Sequence, residues 1–445
     1  MTEMTITEIE ELFENKDYAS LRRIMADEEP ADVAAIMQEL SDDEALLLFR
    51  IIPKDLAAET FVEMDSDLQR SFILKFSDRE ITEMLDEMFV DDTVDIIEEM
   101  PANVVRRILA NTSHEMRSQI NQILKYPKDS AGSIMTTEFV ELRPHTTVSE
   151  AFERIRATGL DKETIYTCYV TDDSRKLIGV VTVKDMIIGG EGIEVGDIME
   201  TSIIYAETHL DKEEVVKLLD RYDFLALPVV DTEDRLVGII TFDDAMDVMR
   251  EEDTEDMEKM AAITPTEKPY LRTGVFETFL SRAPWLLILM ISAALSSFIL
   301  RHYEEGLSVV LMAYIPMLMG TGGNAGSQAS VTIIRGLSLG DIEMKYIITV
   351  MWKEIRVAVL CGVALAAVNF VKMMIFDGGD PLVSAAVSVT LVLTVIIAKT
   401  VGCSLPIVVK RIGLDPAVMA SPFITTIVDC ISLLVYVNAA GIMLS

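Results

Sequence analysis

Near the middle of the chain's last apolar run, in DPAVMASPFITTIVDCISLLVYV, stands one acid, Asp429. A lone carboxylate at membrane depth is costly and marks an ion path. Thr425 and Thr426 precede it by one turn, and Asp429 lies ~20 Å along a helix from Pro416 at 1.5 Å per residue. A second string, PMLMGTGGNAGSQAS, joins Gly320, Gly322, Gly323 and Gly326 to Asn324 and Gln328. The two amides are four residues apart and so share a helix face. Pro316 and the glycines are expected to loosen this helix and turn freed carbonyls toward a pore. Close helix packing through small residues is the alternative. Lys399, in the neighbouring apolar run, is a candidate structural partner for Asp429, or else snorkels toward the interface.

These residues need membrane-spanning elements to hold them. Five apolar runs fit that need, at about 283–301, 307–333, 357–376, 382–409 and 416–443, each near the ~20 residues that cross a bilayer. Residues 283–445 carry no net charge, whereas residues 1–282 carry all −35 of it. Lys268, Arg272, Arg282, Arg335, Lys345, Lys353, Arg356, Lys410 and Arg411 flank one side of the spans, and only Arg301 and Lys372 the other. That bias places the N-terminal body in the cytoplasm and the C-terminus outside. The acidic N-terminus has no apolar core and so no cleaved signal peptide is expected.

The acidic body divides further. Residues 1–130 repeat helical units of about two dozen residues, such as ADVAAIMQELSDDEALLLFRIIP, with Asp, Ser or Pro at the breaks. This is the pattern of an all-α helical-repeat domain. Residues 131–249 are an α/β tandem, with modules at about 135–190 and 198–249. GVVTVKDMI matches GIITFDDAM, which places Gly179, Thr182 and Asp185 in register with Gly238, Thr241 and Asp244. A long acidic connecting helix follows within 250–282, ended by Pro265 and Pro269.

The tandem resembles a pair of CBS domains through its doubled Gly-x-x-Thr-x-x-Asp signature. The whole chain, through its domain order and the two membrane strings, resembles the MgtE family of magnesium channels and transporters. The expected fold is therefore a multidomain membrane protein: helical-repeat N domain, tandem CBS domains, connecting helix and a five-helix α transmembrane domain at 283–445. The resemblance implies a homodimer in which Asp429, with Asn324 nearby, holds hydrated Mg²⁺ on the axis. Mg²⁺ keeps most of its waters and binds through one or two carboxylates, which suits one Asp per chain. The resemblance also implies a Mg²⁺ sensor. Its acids match Glu59, Asp91, Asp92 and Asp95 in the N domain, and Glu213, Asp223, Asp243, Asp244 and Asp247 in the second CBS module. Glu252, Glu255 and Asp256 match on the connecting helix, and Asp415 at the cytoplasmic mouth. Mg²⁺ bridging these acids would close the pore. ATP is a further expected ligand, with Asp185 on the ribose, Lys184 near the phosphates and Phe224 against the base. A purely structural Asp185 cap is the alternative.

Other classes fit less well. A pI near 4.4 excludes the basic surface that nucleic acids need. Cys168, Cys361, Cys403 and Cys430 have no disulfide or zinc spacing. No P-loop, HExxH or G-x-S-x-G motif supports an enzyme. A transporter of Co²⁺ or Mn²⁺ is the runner-up, but softer ions favour His, Cys or Met ligands, and the only histidine of the membrane part is His302, on a flank.

Overall fold

The computed structural model describes residues 6–266, 270, 273–303, 309–376, 380–419 and 421–444. Pro269, Lys268 and Arg272 lie outside the described residues. The chain divides into two units, Met1–Met249 and Arg250–Ser445.

The first unit begins with ten short helices: α1 (Ile6–Glu14), α2 (Tyr18–Met25), α3 (Pro30–Glu39), α4 (Asp42–Ile51), α5 (Lys54–Val62), α6 (Ser66–Lys75), α7 (Asp78–Leu85), α8 (Val90–Glu99), α9 (Ala102–Asn111) and α10 (His114–Ile123). None is long enough to be stable alone in water. Their apolar faces merge instead, burying Leu21, Met37, Leu48, Phe72 and Ile108 in one core. The predicted breaks are helix caps. Asp17, Asp65, Ser77 and Ser113 accept hydrogen bonds from the N–H groups of Ser20, Leu68, Glu80 and Met116, satisfying first-turn donors that have no helical partner. Between repeats, the Arg107 guanidinium of α9 donates to the carbonyls of Ile73, Leu74 and Phe76 around the end of α6.

The tandem modules follow. The first holds β1 (Glu141–Leu142), α11 (Val148–Thr158), β2 (Thr167–Thr171), β3 (Leu177–Thr182), α12 (Val183–Gly189) and α13 (Val195–Ile198). The second holds β4 (Ala206–Glu207), α14 (Lys212–Tyr222), β5 (Ala226–Val230), β6 (Leu236–Thr241) and the start of α15 (Phe242–Met260). Each has a three-stranded sheet with one parallel and one antiparallel pairing, and both antiparallel pairings shift register one residue before the strand ends. The doubled signature has a local cause. A Cβ on Gly238 would stand 2.7 Å from the Met135 sulfur and the Thr136 carbonyl. Thr182 and Asp185 form a reciprocal capping box at the start of α12, and the Thr241 hydroxyl donates to Asp244 at 2.5 Å. Gly thus closes the strand against a neighbour, and Thr with Asp starts the helix.

The second unit takes the rest of α15 and then α16 (Val275–Tyr303), α17 (Val309–Met312), α18 (Ile315–Ser338), α19 (Ile347–Ile375), α20 (Pro381–Ile412) and α21 (Ser421–Leu444). Among the described residues, segments within 275–303, 344–375, 381–412 and 422–439 are long and apolar enough to cross a membrane. The fifth long helix, α18, is not among them, because glycines and amides dilute its apolar content.

Three expectations are corrected here. The α18 helix is continuous, not broken: Pro316 sits in its first turn, where the missing N–H has no helical partner to lose. Gly322, Gly323 and Gly326 instead serve close packing. Added Cβ atoms would meet Thr394 at 2.8 Å, Thr425 at 2.8 Å and Ile424 at 3.0 Å. Lys399 pairs with Glu354, at 3.7 Å, and not with Asp429. Glu354 itself falls within α19, which starts ten residues before the predicted span.

Candidate cation sites

The acids singled out in the first unit meet in part. Asp91 and Asp92, in the first turn of α8, come within electrostatic reach of Asp244 on α15 and of Glu138. Glu163 belongs to the same cluster, facing Asp92, Asp243 and Asp244. The Glu163 N–H donates to the Glu138 carbonyl at 2.9 Å, which holds these two segments together. Asp91 is 8% exposed, and its Oδ1 is buried without a hydrogen-bond partner.

Crowding dominates the electrostatics. Burial, then the charges of Asp244, Asp92, Glu163 and Glu138, holds the Asp91 carboxyl well above the usual range. Burial and the carboxylates of Asp244, Asp243, Glu63 and Glu138 push Asp92 up to about 7. Burial, with Asp244, Asp92, Asp243 and Glu138, pushes Glu163 to about 8. Asp244 rises to about 6 through burial and the charges of Asp243 and Asp247, against the lowering hydrogen bond from Thr241. Such like-charge crowding favours protonation or a cation. Among the described residues no three carboxylate, imidazole or thiol groups converge closely enough to hold one metal ion. These acids therefore form no dry, multi-ligand cage among the described residues.

The remaining acids are placed more openly. Glu59 and Asp95 are exposed on α5 and α8, and Asp243 and Asp247 on the first turns of α15. Glu213 pairs with Lys217 at 2.9 Å. Asp223 caps α14 in the left-handed region, at φ 53°, a conformation that Asp tolerates better than most residues. Glu63, Glu138 and Glu163 were missed in the sequence. They sit in unrelated segments, and only the tertiary approach of α8 to the second module joins them.

Beside the first module's signature lies a cavity of about 440 Å³, lined by Tyr166, Thr167, Thr182, Lys184, Ile188 and Leu225 among others. Lys184 is exposed there. Asp185 is also exposed and closes the α12 capping box. Phe224 stacks on Tyr222, with centroids 5.6 Å apart, and packs against the core. The aromatic ring at the cavity is Tyr166, which the sequence reading passed over.

In the second unit, Asp429 is half-buried on α21, and its Oδ1 is buried without a hydrogen-bond partner. One turn earlier, Thr425 packs on Gly323, and its hydroxyl lies 3.4 Å from that of Ser327 on α18. Asn324 and Gln328 share the exposed face of α18. A second constellation gathers at the end of α15. Lys259 reaches Glu255 at 2.5 Å and Asp415 at 2.7 Å. Burial lowers the Lys259 pKa, but the two carboxylates outweigh it, for a net rise. Asp256, one residue after Glu255, accepts from the Ser338 hydroxyl at 3.2 Å. Glu252 lies half-buried one turn before Asp256.

Comparison with known proteins finds similarity along the chain. A family model described as the divalent cation transporter MgtE matches residues 315–439. The MgtE intracellular N domain matches 28–129, and CBS domains match 131–189 and 195–251. The magnesium transporter MgtE of Thermus thermophilus is 34% identical, over 100% of this chain and 99% of that protein. Its namesake in Bacillus subtilis is 32% identical, over 94% and 93%. Among solved structures, the cytosolic domain of the Mg²⁺ channel MgtE in complex with ATP superposes with a TM-score of 0.52. It is 33% identical and covers 55% of this chain and 100% of that one.

Proposed function

The chain belongs to the MgtE family of magnesium transporters, and on that premise we propose that it is a Mg²⁺-selective, channel-like importer of the cytoplasmic membrane, closed by intracellular Mg²⁺. Asp429, the carboxylate on α21 one turn after the Thr425 that touches α18, is the residue that meets the ion. A single carboxylate is a thin site for a divalent cation, so the working unit is a homodimer with two Asp429 residues on its axis. The N-terminal body faces the cytoplasm and the C-terminus lies outside.

The observation that carries the gating part is the crowding of Asp91, Asp92, Glu163 and Asp244. Repulsion among them opposes the approach of α8 to the second module. Cytoplasmic Mg²⁺ offsets that repulsion, favours the packed arrangement and closes the path through α15 and Asp415. A ligand shifts such an equilibrium only through its differential affinity for the two states, and acids brought together only on packing provide it. ATP, held by Lys184 and Asp185 beside Tyr166, is a second regulatory ligand of the same body.

The test is Mg²⁺ uptake into liposomes with internal Mg²⁺ varied. Wild type should carry Mg²⁺ and fall silent as internal Mg²⁺ rises. Asp429→Ala should abolish uptake while remaining a folded dimer in detergent. Near-normal uptake by that variant would overturn the pore assignment.

A further inference from the structure

A cavity of about 660 Å³ lies among the long helices of the second unit, lined in part by Ser327, Gln328, Thr332, Glu354 and Lys399. Its two charged members come from different helices, Glu354 from α19 and Lys399 from α20. Their side chains are 14% and 8% exposed, with Lys399 Nζ 3.7 Å from Glu354 Oε2. That oxygen is buried and has no hydrogen-bond partner. Lys399 stands ~27 Å from the first residue of α20 and ~20 Å from the last, at 1.5 Å per residue. Lys399 is thus interior to α20, while Glu354 stands ~10 Å from the first residue of α19.

A charge pair in such a place is costly and marks function more often than stability. The remaining lining is polar oxygen: the Ser327 and Thr332 hydroxyls and the Gln328 amide. Ser327 touches Thr425, one turn before Asp429, and Gln328 shares the exposed α18 face with Asn324. The cavity thus borders the proposed ion path. It offers a buried carboxylate with one oxygen free of hydrogen bonds and several neutral oxygens, a donor set suited to a hard cation. The only cation among its lining residues is the Lys399 ammonium.

The geometry points to a second cation site built around Glu354, whose place this chain fills with its own Lys399 ammonium. The tethered charge keeps Mg²⁺ from lodging beside the path. This inference rests on the transport reading above.

Three variants test it in the full-length protein: Lys399→Met, Glu354→Gln and the double substitution. Equilibrium dialysis against Mg²⁺ should find one more ion bound per chain in Lys399→Met than in wild type. Its uptake should saturate at lower external Mg²⁺. Glu354→Gln leaves an uncompensated ammonium beside the path and should lower uptake at subsaturating Mg²⁺ by roughly 3- to 10-fold, through charge repulsion. The double variant should return both measurements toward wild type. A merely structural pair would lower the yield of folded protein while leaving uptake per folded molecule unchanged, and that result overturns the proposal. So does a Lys399→Met protein that binds no additional Mg²⁺. Wild type that carries no Mg²⁺ would instead defeat the transport reading itself, which separates the two failures.

Discussion

Lys259 Nζ stands 2.7 Å from Asp415 Oδ2 and ties the last turn of α15 to the segment between α20 and α21. The same ammonium reaches back to Glu255 at 2.5 Å. The Asp415 Oδ1 accepts the Ala417 N–H at 2.8 Å, so the carboxylate is fixed from both sides. The connecting helix therefore docks on the acid expected at the cytoplasmic mouth through a cation that belongs to the protein.

Loss of that cation should weaken docking. The pair is partly exposed, so its contribution is about 1 kcal/mol, which is roughly a 5-fold change in the docked-to-undocked ratio. Lys259→Met should accordingly need more internal Mg²⁺ to silence uptake. An inhibition curve that coincides with wild type would remove this contact from the gate.

The acidic cluster makes a prediction about pH. Asp92 and Glu163 have carboxyls raised to about 7 and about 8, above their values in an unfolded chain. The packed state then binds more protons than the unfolded one, so its stability falls as pH rises. The contribution is whole below the ordinary carboxylate range and is lost as pH rises through about 7 and 8. In chelator, the first unit should melt at a lower temperature at pH 8.5 than at pH 6. Millimolar Mg²⁺ should raise the melting temperature more at pH 8.5, where fewer protons must be displaced. Equal rises at both pH values would show that ion and proton do not share these carboxylates.

Local chemistry made much of this fold readable. Caps such as Ser77 and Asp65, the Thr182–Asp185 box and the two-dozen-residue period were all visible as residue types at fixed spacing. The glycines of α18 were visible too, but their role was not. Whether Gly322 frees a carbonyl or admits a neighbour depends on Thr394 and Val428, which lie far away in sequence. Glu163 and Glu138 gave no signal, because an acid in a surface loop looks the same whether or not another domain approaches it. Glu354 fell outside the predicted span because charged residues near Lys353 and Arg356 masked the start of α19.

Close packing of α18 on α20 has its own test. A Cβ on Gly402 would overlap the Gly326 carbonyl, a backbone atom that cannot rotate away. Overpacking of this kind typically costs 1–3 kcal/mol or more. Gly402→Ala should lower the melting temperature in detergent and reduce folded yield. Gly320→Ala, where nothing lies within 4 Å of the added atom, should leave both unchanged. Equal behaviour of the two variants would mean that these helices do not pack this closely.

The sensor reading predicts an effect opposite in sign to that of Asp429→Ala. Asp91 lies in the first turn of α8 and Asp244 in that of α15, and the Asp244 charge raises the pKa of Asp91, Asp92 and Glu163. Asp91→Ala with Asp244→Ala removes two carboxylates that Mg²⁺ would engage only in the packed state. Affinity for the packed state falls while affinity for the open state does not, so the coupling between internal Mg²⁺ and closure shrinks. Coupling energies of this kind are ~1–3 kcal/mol, or roughly 5- to 150-fold in the closed-to-open ratio. Removing two like charges also eases repulsion when Mg²⁺ is scarce, which lowers uptake slightly there. Both effects flatten the response: the ratio of uptake at low to high internal Mg²⁺ should fall, with uptake persisting where wild type is silent. Liposome uptake measured across internal Mg²⁺ reads this ratio directly. A double variant that is silenced at lower internal Mg²⁺ than wild type would mean that these acids hold the path open and do not sense the ion that closes it.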